Sequence, residues 1–275
     1  MLSSIDTGTG PPVVLLHGQP GTGASWDPVI RLLESGHRVL APDRIGYGSS
    51  TGEARGLIDN AELIALFLEE RRAGPATVVA HSWAGGVAVL LAHRHPGVVS
   101  NLILVGAACT PDSLDTIDRL LALPGVGNAL TTAGLVAIDS VLPRMRSLLR
   151  YVPVRYREQI ATSLPSEPGR IGERARNGGF ARQKRSFMTE QRALGEEMPA
   201  VTAALAELAV PVVVVSGAWD LVVRPSAAAS LARAISGAEL INFPRSGHFV
   251  ARDAPDELAE VIRARAGGHP GPMPG

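Results

Sequence analysis

Val78-Val79-Ala80-His81-Ser82-Trp83-Ala84-Gly85-Gly86 is an apolar, strand-like run that breaks at a serine and resumes as a small-residue helix. A chain that ends a buried strand and starts a helix within two residues must bend sharply. Ser82 sits on that bend, with backbone angles that cost energy. The bend needs small neighbours, because the residues two before and two after the serine approach each other closely. Here these are Ala80 and Ala84, followed by Gly85 and Gly86. The pattern departs from Gly-x-Ser-x-Gly at both flanking positions, and a small-x-Ser-x-small run is common by chance. The turn acquires meaning only from what surrounds it.

On either side of this stretch, short β-branched runs alternate with helix-compatible segments. Residues 13–16, 38–41, 77–80, 102–105, 212–215 and 239–242 read as strands. Most are nearly all apolar without period-two alternation, as expected of strands buried on both faces of a parallel sheet. Residues 60–70 carry apolar positions along one helical face. Pro255 to Arg265 opens on Asp256 and Glu257 and closes on Arg263 and Arg265, the favourable sense for a helix dipole. This alternation predicts an α/β fold with a mostly parallel, doubly wound sheet and helices on both sides.

Between about Thr110 and Met198 the alternation stops. Residues 117–123, 130–142 and 155–164 read as helices, punctuated by Pro124, Pro143, Pro153, Pro165 and Pro168. The expected organisation is therefore a core of residues 1–108 and 199–266 and a helical cap of residues 109–198 inserted after the sixth strand. Such caps lie over the carboxyl ends of parallel strands, where ligands bind in open α/β sheets. The Gly/Pro-rich tail, 267–275, is expected to be disordered.

Three further elements bear on Ser82. His17-Gly18-Gln19-Pro20-Gly21 directly follows the strand 13–16; read functionally, its Gln19 N–H and the N–H of Trp83 form a two-donor oxyanion hole, and otherwise it is a plain Gly/Pro loop. Asp220 lies in a loop after the strand 212–215, as a triad acid or as a cap for a helix starting near Pro225. His248 lies in a loop after the strand 239–242, as a base or as a satisfied surface histidine. The order Ser82, Asp220, His248 decides between these readings. Each residue follows a strand, so all three lie at the carboxyl edge of one sheet, and a serine hydroxyl is a poor nucleophile until a base takes its proton. That order differs from those of chymotrypsin and subtilisin and matches the α/β-hydrolases.

From Gly10 to Arg265 the chain resembles the α/β-hydrolase fold superfamily, in its serine-nucleophile branch. Residues 17–21 resemble the family's oxyanion loop, and Asp43-Arg44-Ile45-Gly46-Tyr47-Gly48-Ser49-Ser50 its Asp-x-x-Gly-x-Gly-x-Ser turn. Residues 80–86 resemble the nucleophile elbow, 217–223 the acid loop and 247–255 the histidine loop. The family usually carries a further strand before the one that would end near Gly8, for which few residues remain here. The resemblance implies a serine esterase-like enzyme with Ser82, Asp220 and His248 as catalytic triad and no cofactor. It leaves open a lactonase, a carbon–carbon bond hydrolase or a cofactor-free perhydrolase on the same triad, or a non-catalytic ligand receptor. Trp83 after the nucleophile resembles epoxide hydrolases and haloalkane dehalogenases, but those enzymes use an aspartate where this chain has Ser82.

Composition narrows the partners. The 275 residues carry 26 basic and 26 acidic side chains, so no global field favours nucleic acid or an anionic membrane. Arg170 to Arg192 is locally basic but interleaved with Glu173 and Glu190, and reads as a solvated surface. Cys109, the single cysteine, follows an apolar run and reads as a buried inert thiol. Without a signal-peptide pattern or a stretch of about 20 apolar residues, the expectation is a cytoplasmic protein acting on a small molecule. No metal site is expected, because no His, Asp or Glu cluster outside the triad has ligand spacing. His81 reads as structural, and His37, His93 and His95 as surface or helix-terminal. The apolar stretch Leu130 to Ile138, with few aromatic residues nearby, suggests a small to medium apolar ester or lactone.

Overall fold

The sheet is built from β1 (Ser4–Thr7), β2 (Pro12–Leu16), β3 (Arg38–Pro42), β4 (Ala76–His81), β5 (Val99–Val105), β6 (Val212–Gly217) and β7 (Glu239–Phe243). The computed structural model describes residues 2–114 and 179–267. The expected helices 117–123, 130–142 and 155–164, and the tail beyond Gly267, lie outside the described residues. The strand order is β1-β3-β2-β4-β5-β6-β7. β1 pairs antiparallel with β3 at one edge, and every other pairing is parallel. The six strands read from sequence are β2 to β7, each within a few residues of its expected limits. The interruption of the βα alternation follows β5, one strand earlier in chain order than expected, because β1 alone precedes β2.

Alternate residues of each buried strand face opposite layers. Val14, Leu16, Val78, Ala80, Leu102, Leu104 and Val214 pack with α2 (Leu57–Glu70), α3 (Ala84–Arg94), α4 (Gly179–Leu205) and α5 (Pro225–Ala234). Val13, Leu15, Val79, Ile103, Val105, Val213 and Val215 pack with α1 (Asp27–Leu33), α6 (Val250–Asp253) and α7 (Pro255–Ala266). Both faces of the strands are covered, so both alternating sets are apolar, and the sequence shows runs instead of a period of two. α4 passes without a break through the expected cap boundary at 198/199, with Pro199 inside it. None of the helices among the described residues is long and apolar enough to cross a membrane.

The strand order itself locates a crevice. From β2 the chain crosses to β3 on one side, and β4 then returns to the other side of β2. The loops leaving β2 and β4 diverge at that switch, opening a cleft at the carboxyl ends of the two strands. The loop 17–21 and Ser82 occupy those two ends.

Candidate active site

Ser82 follows the last residue of β4 and has φ +56°, in the left-handed region. A serine holds that conformation only where its surroundings over-determine it. Its N–H donates to the Val105 carbonyl at 3.0 Å, and its carbonyl accepts from the N–H of Gly85 at 2.9 Å and of Ala108 at 3.1 Å. The small neighbours are required: a Cβ on Gly85 would stand 2.5 Å from the Ala107 Cβ. The bend therefore projects the hydroxyl at the carboxyl edge of the sheet.

There the Ser82 Oγ lies 3.0 Å from His248 Nε2, and His248 Nδ1 lies 2.9 Å from Asp220 Oδ2. Asp220 and His248 are both buried. The second carboxylate oxygen, Oδ1, accepts the N–H groups of Val222 and Val223, each at 2.8 Å. Helix α5 has Arg224 at its N-cap, without a side-chain cap, so Asp220 is not a helix cap. Gly106, at φ +50°, passes beside the pair; a Cβ there would stand 3.2 Å from Asp220 Oδ2 and 3.3 Å from His248 Nδ1.

His81 steadies the base from beneath. Its Nε2–H donates to the His248 carbonyl at 2.9 Å, and the two ring centroids are 4.7 Å apart. Burial, then the neighbouring His248, lowers the His81 pKa to about 3. The loop after β2 completes the cleft: a Cβ on Gly18 would lie 2.9 Å from His81 Nδ1 and 3.0 Å from the Ser82 Cβ. Gln19 is thus adjacent to the nucleophile turn, and its side-chain amide donates to the Phe187 carbonyl at 2.7 Å. Trp83 is buried, and its indole N–H donates to the Glu190 carbonyl at 3.0 Å. That indole N–H is already engaged and does not point a donor at a leaving group beside Ser82.

Within the described part of the run expected to be a solvated basic surface, Arg185 and Arg192 are exposed and Arg182 and Lys184 half-buried, so the expectation holds for the basic side chains but not for the positions between them. Ser186, Glu190 and Gln191 are buried, and Glu190 forms a two-oxygen ion pair with the buried Arg44. Glu190 lies at helical spacing with Leu194, Met198, Val201 and Leu205, all buried on the same stripe of α4. That stripe is the signal by which the sequence could have placed it inside; the surrounding arginines and lysine obscured it.

His17 is neutral for a geometric reason. Its Nδ1–H donates to the Gly18 carbonyl at 2.8 Å, and its Nε2 accepts the Arg44 backbone N–H at 2.9 Å. Burial and the nearby Arg44 guanidinium lower its pKa well below the usual histidine value. A histidine whose folded pKa is depressed contributes stability that is present above the unfolded value near 6.5 and lost as pH falls below it. Two such residues, His17 and His81, predict an unfolding free energy that declines with acidification from about pH 6.5 toward pH 3, at up to about 1.4 kcal/mol per pH unit for each proton. Burial raises the Glu190 pKa and acts in the opposite sense, in wild type and variant alike. Denaturant unfolding of the wild type and of His81→Gln across this range checks the slope. The variant, which keeps an N–H for the His248 carbonyl, is expected to lose about one proton from it; identical slopes would contradict the assignment.

The profile described as the alpha/beta hydrolase family matches residues 13–261. The chain therefore belongs to the α/β-hydrolase family. An uncharacterized protein of Mycobacterium tuberculosis is 27% identical over 268 residues, covering 93% of this chain and 75% of that one. A 2-hydroxymuconate semialdehyde hydrolase of Pseudomonas sp. strain CF600 is 38% identical over 114 residues, 38% of each chain. Among solved structures, a thermophilic esterase from Thermogutta terrifontis aligns with a TM-score of 0.67 at 23% identity, covering 95% of this chain and 91% of that one. That last likeness speaks to the fold alone.

Proposed function

We propose that this protein is a serine hydrolase that cleaves an ester, or a related acyl bond, of a small to medium apolar substrate through an acyl-enzyme on Ser82. The observation that carries the reading is the unbroken relay from Ser82 Oγ through His248 to Asp220, at 3.0 and 2.9 Å, with the serine held at φ +56°. His248 Nε2 takes the hydroxyl proton as Oγ bonds to the carbonyl carbon. Asp220 Oδ2 accepts from Nδ1–H and stabilises the imidazolium that results. The N–H groups of Gln19 and Trp83 donate to the oxyanion. On collapse the leaving alcohol takes the proton from His248. Water then gives a proton to His248 as it attacks the acyl carbon, and the acid departs with Ser82 regenerated.

The residue types favour this over alkyl transfer. A carboxylate nucleophile needs no general base to start a displacement at saturated carbon, whereas Ser82 does, and it has one at hydrogen-bond distance. The substrate class rests on the apolar composition of residues 130–138. Turnover of p-nitrophenyl esters of graded acyl length tests both parts. The expected profile is activity throughout the short and medium acyl chains with a fall at the longest. Absence of turnover on every ester by a protein whose Ser82 still reacts with a fluorophosphonate would overturn the esterase reading in favour of a ligand receptor.

A further inference from the structure

We propose that Arg44 and Glu190 form a buried clamp that positions both oxyanion donors, making Arg44 a positioning residue for the reaction. The inference rests on the reading of Gln19 and Trp83 as those donors. Arg44 is fully buried, a costly place for a guanidinium unless every donor is used. Here its Nε–H donates to the His17 carbonyl at 2.9 Å, and one terminal nitrogen donates to the Gly18 carbonyl at 3.0 Å. Its two terminal nitrogens also engage both oxygens of Glu190, one of which accepts the Tyr47 hydroxyl at 2.8 Å.

The consequence follows from the planarity of one peptide. The Gly18 C=O and the Gln19 N–H belong to the same trans amide unit and point in opposite directions. The Gly18 oxygen is pinned by two donors, the Arg44 guanidinium and the His17 Nδ1–H. Fixing that oxygen fixes the Gln19 N–H on the other side, away from Arg44. A guanidinium with a rigid, planar set of donors suits this task where an ammonium does not.

The same guanidinium serves the second donor. Its carbon lies 4.4 Å from the centroid of the Trp83 ring, and the Trp83 indole N–H is held by the Glu190 carbonyl. Trp83 is thereby fixed from two sides, and with it the peptide that follows Ser82. α4 contributes the Glu190 carboxylate, the Glu190 carbonyl and the Phe187 carbonyl that holds the Gln19 side chain. One helix, which enters from the residues following β5, thus reaches the β2 loop and the serine bend together. The arrangement is more than a core ion pair, because its hydrogen bonds end on the peptides expected to carry the oxyanion donors.

Replacing the pair by Arg44→Met/Glu190→Met tests the clamp while leaving no unpaired buried charge, and such exchanges often keep a fold intact. Arg44→Lys is the second variant; it retains a charge but cannot satisfy the His17 and Gly18 carbonyls and both Glu190 oxygens at once. Turnover is normalised to sites titrated with a fluorophosphonate, so that misfolded protein does not count. For both variants kcat is expected to fall about 100-fold with KM within about threefold, the size of losing well-placed oxyanion donors. The inhibition constant of a trifluoromethyl ketone, whose carbon bonds to Ser82 Oγ as the proton passes to His248, is expected to rise in parallel. Unchanged kcat, a change in KM alone, or a fall in kcat without weaker ketone binding would overturn the clamp. A wild-type protein that neither hydrolyses esters nor reacts with the fluorophosphonate would instead remove the reading on which it rests.

Discussion

Ser82→Ala is expected to lower ester turnover by on the order of 10⁴- to 10⁶-fold, the loss seen when the nucleophile of a comparable triad is removed. The residual rate would come from the oxyanion donors and binding alone. The fold should survive, because the side chain is partly exposed and the bend is held through the main chain of Val105, Gly85 and Ala108. Ser82→Gly separates chemistry from stability more sharply. At φ +56° a glycine is unstrained where serine is not, so this variant should be equally inactive yet at least as stable as the wild type. Steady-state hydrolysis and denaturant midpoints on the three proteins provide the check. Retained activity in either variant would remove the proposed role of Ser82.

Asp220→Asn is expected to reduce kcat by about 10⁴-fold with little loss of fold. The direction follows from what the carboxylate already holds. Oδ1 accepts two backbone N–H groups at 2.8 Å, so the asparagine must present its oxygen there. Its NH2 then faces His248 Nδ1, where a carboxylate oxygen now accepts. The ring must accept from the amide at Nδ1 and carry its proton on Nε2, pointing at Ser82. A base already protonated on the side of the nucleophile cannot take the serine proton. Kinetics of the variant on the best ester decide the matter; a loss of less than about tenfold would mean that Asp220 is not the orienting acid.

The middle of the sheet was legible because β2 to β6 are buried on both faces, which turns each into a short, largely apolar run, whereas the half-buried edge strand β1 carries no such run. The places of Ser82, Asp220 and His248 were legible because each lies in the turn or loop after a strand, so strand polarity gathers them at one edge. Arg44 and Glu190 escaped for the opposite reason. A buried ion pair between residues 44 and 190 is composed of side chains that read as surface, and nothing local in the Asp43 to Ser50 turn announces a partner more than a hundred residues away. The apolar stripe of α4 carried the hint, and Glu190 interrupts it. Likewise the loop after β2 displayed its glycines, but not that the Gly18 carbonyl is turned onto Arg44. Pairings of that kind are set by tertiary packing, not by spacing.

The proposed reaction requires that Ser82 become covalently attached to the substrate's acyl group. Reaction of the wild-type protein with a fluorophosphonate, followed by digestion and mass spectrometry of the peptide containing His81-Ser82-Trp83, tests it most directly. The expected result is a single phosphonyl adduct on Ser82 that forms in step with loss of esterase activity and is absent from Ser82→Ala. An adduct on another residue, or activity that persists with Ser82 fully modified, would contradict it.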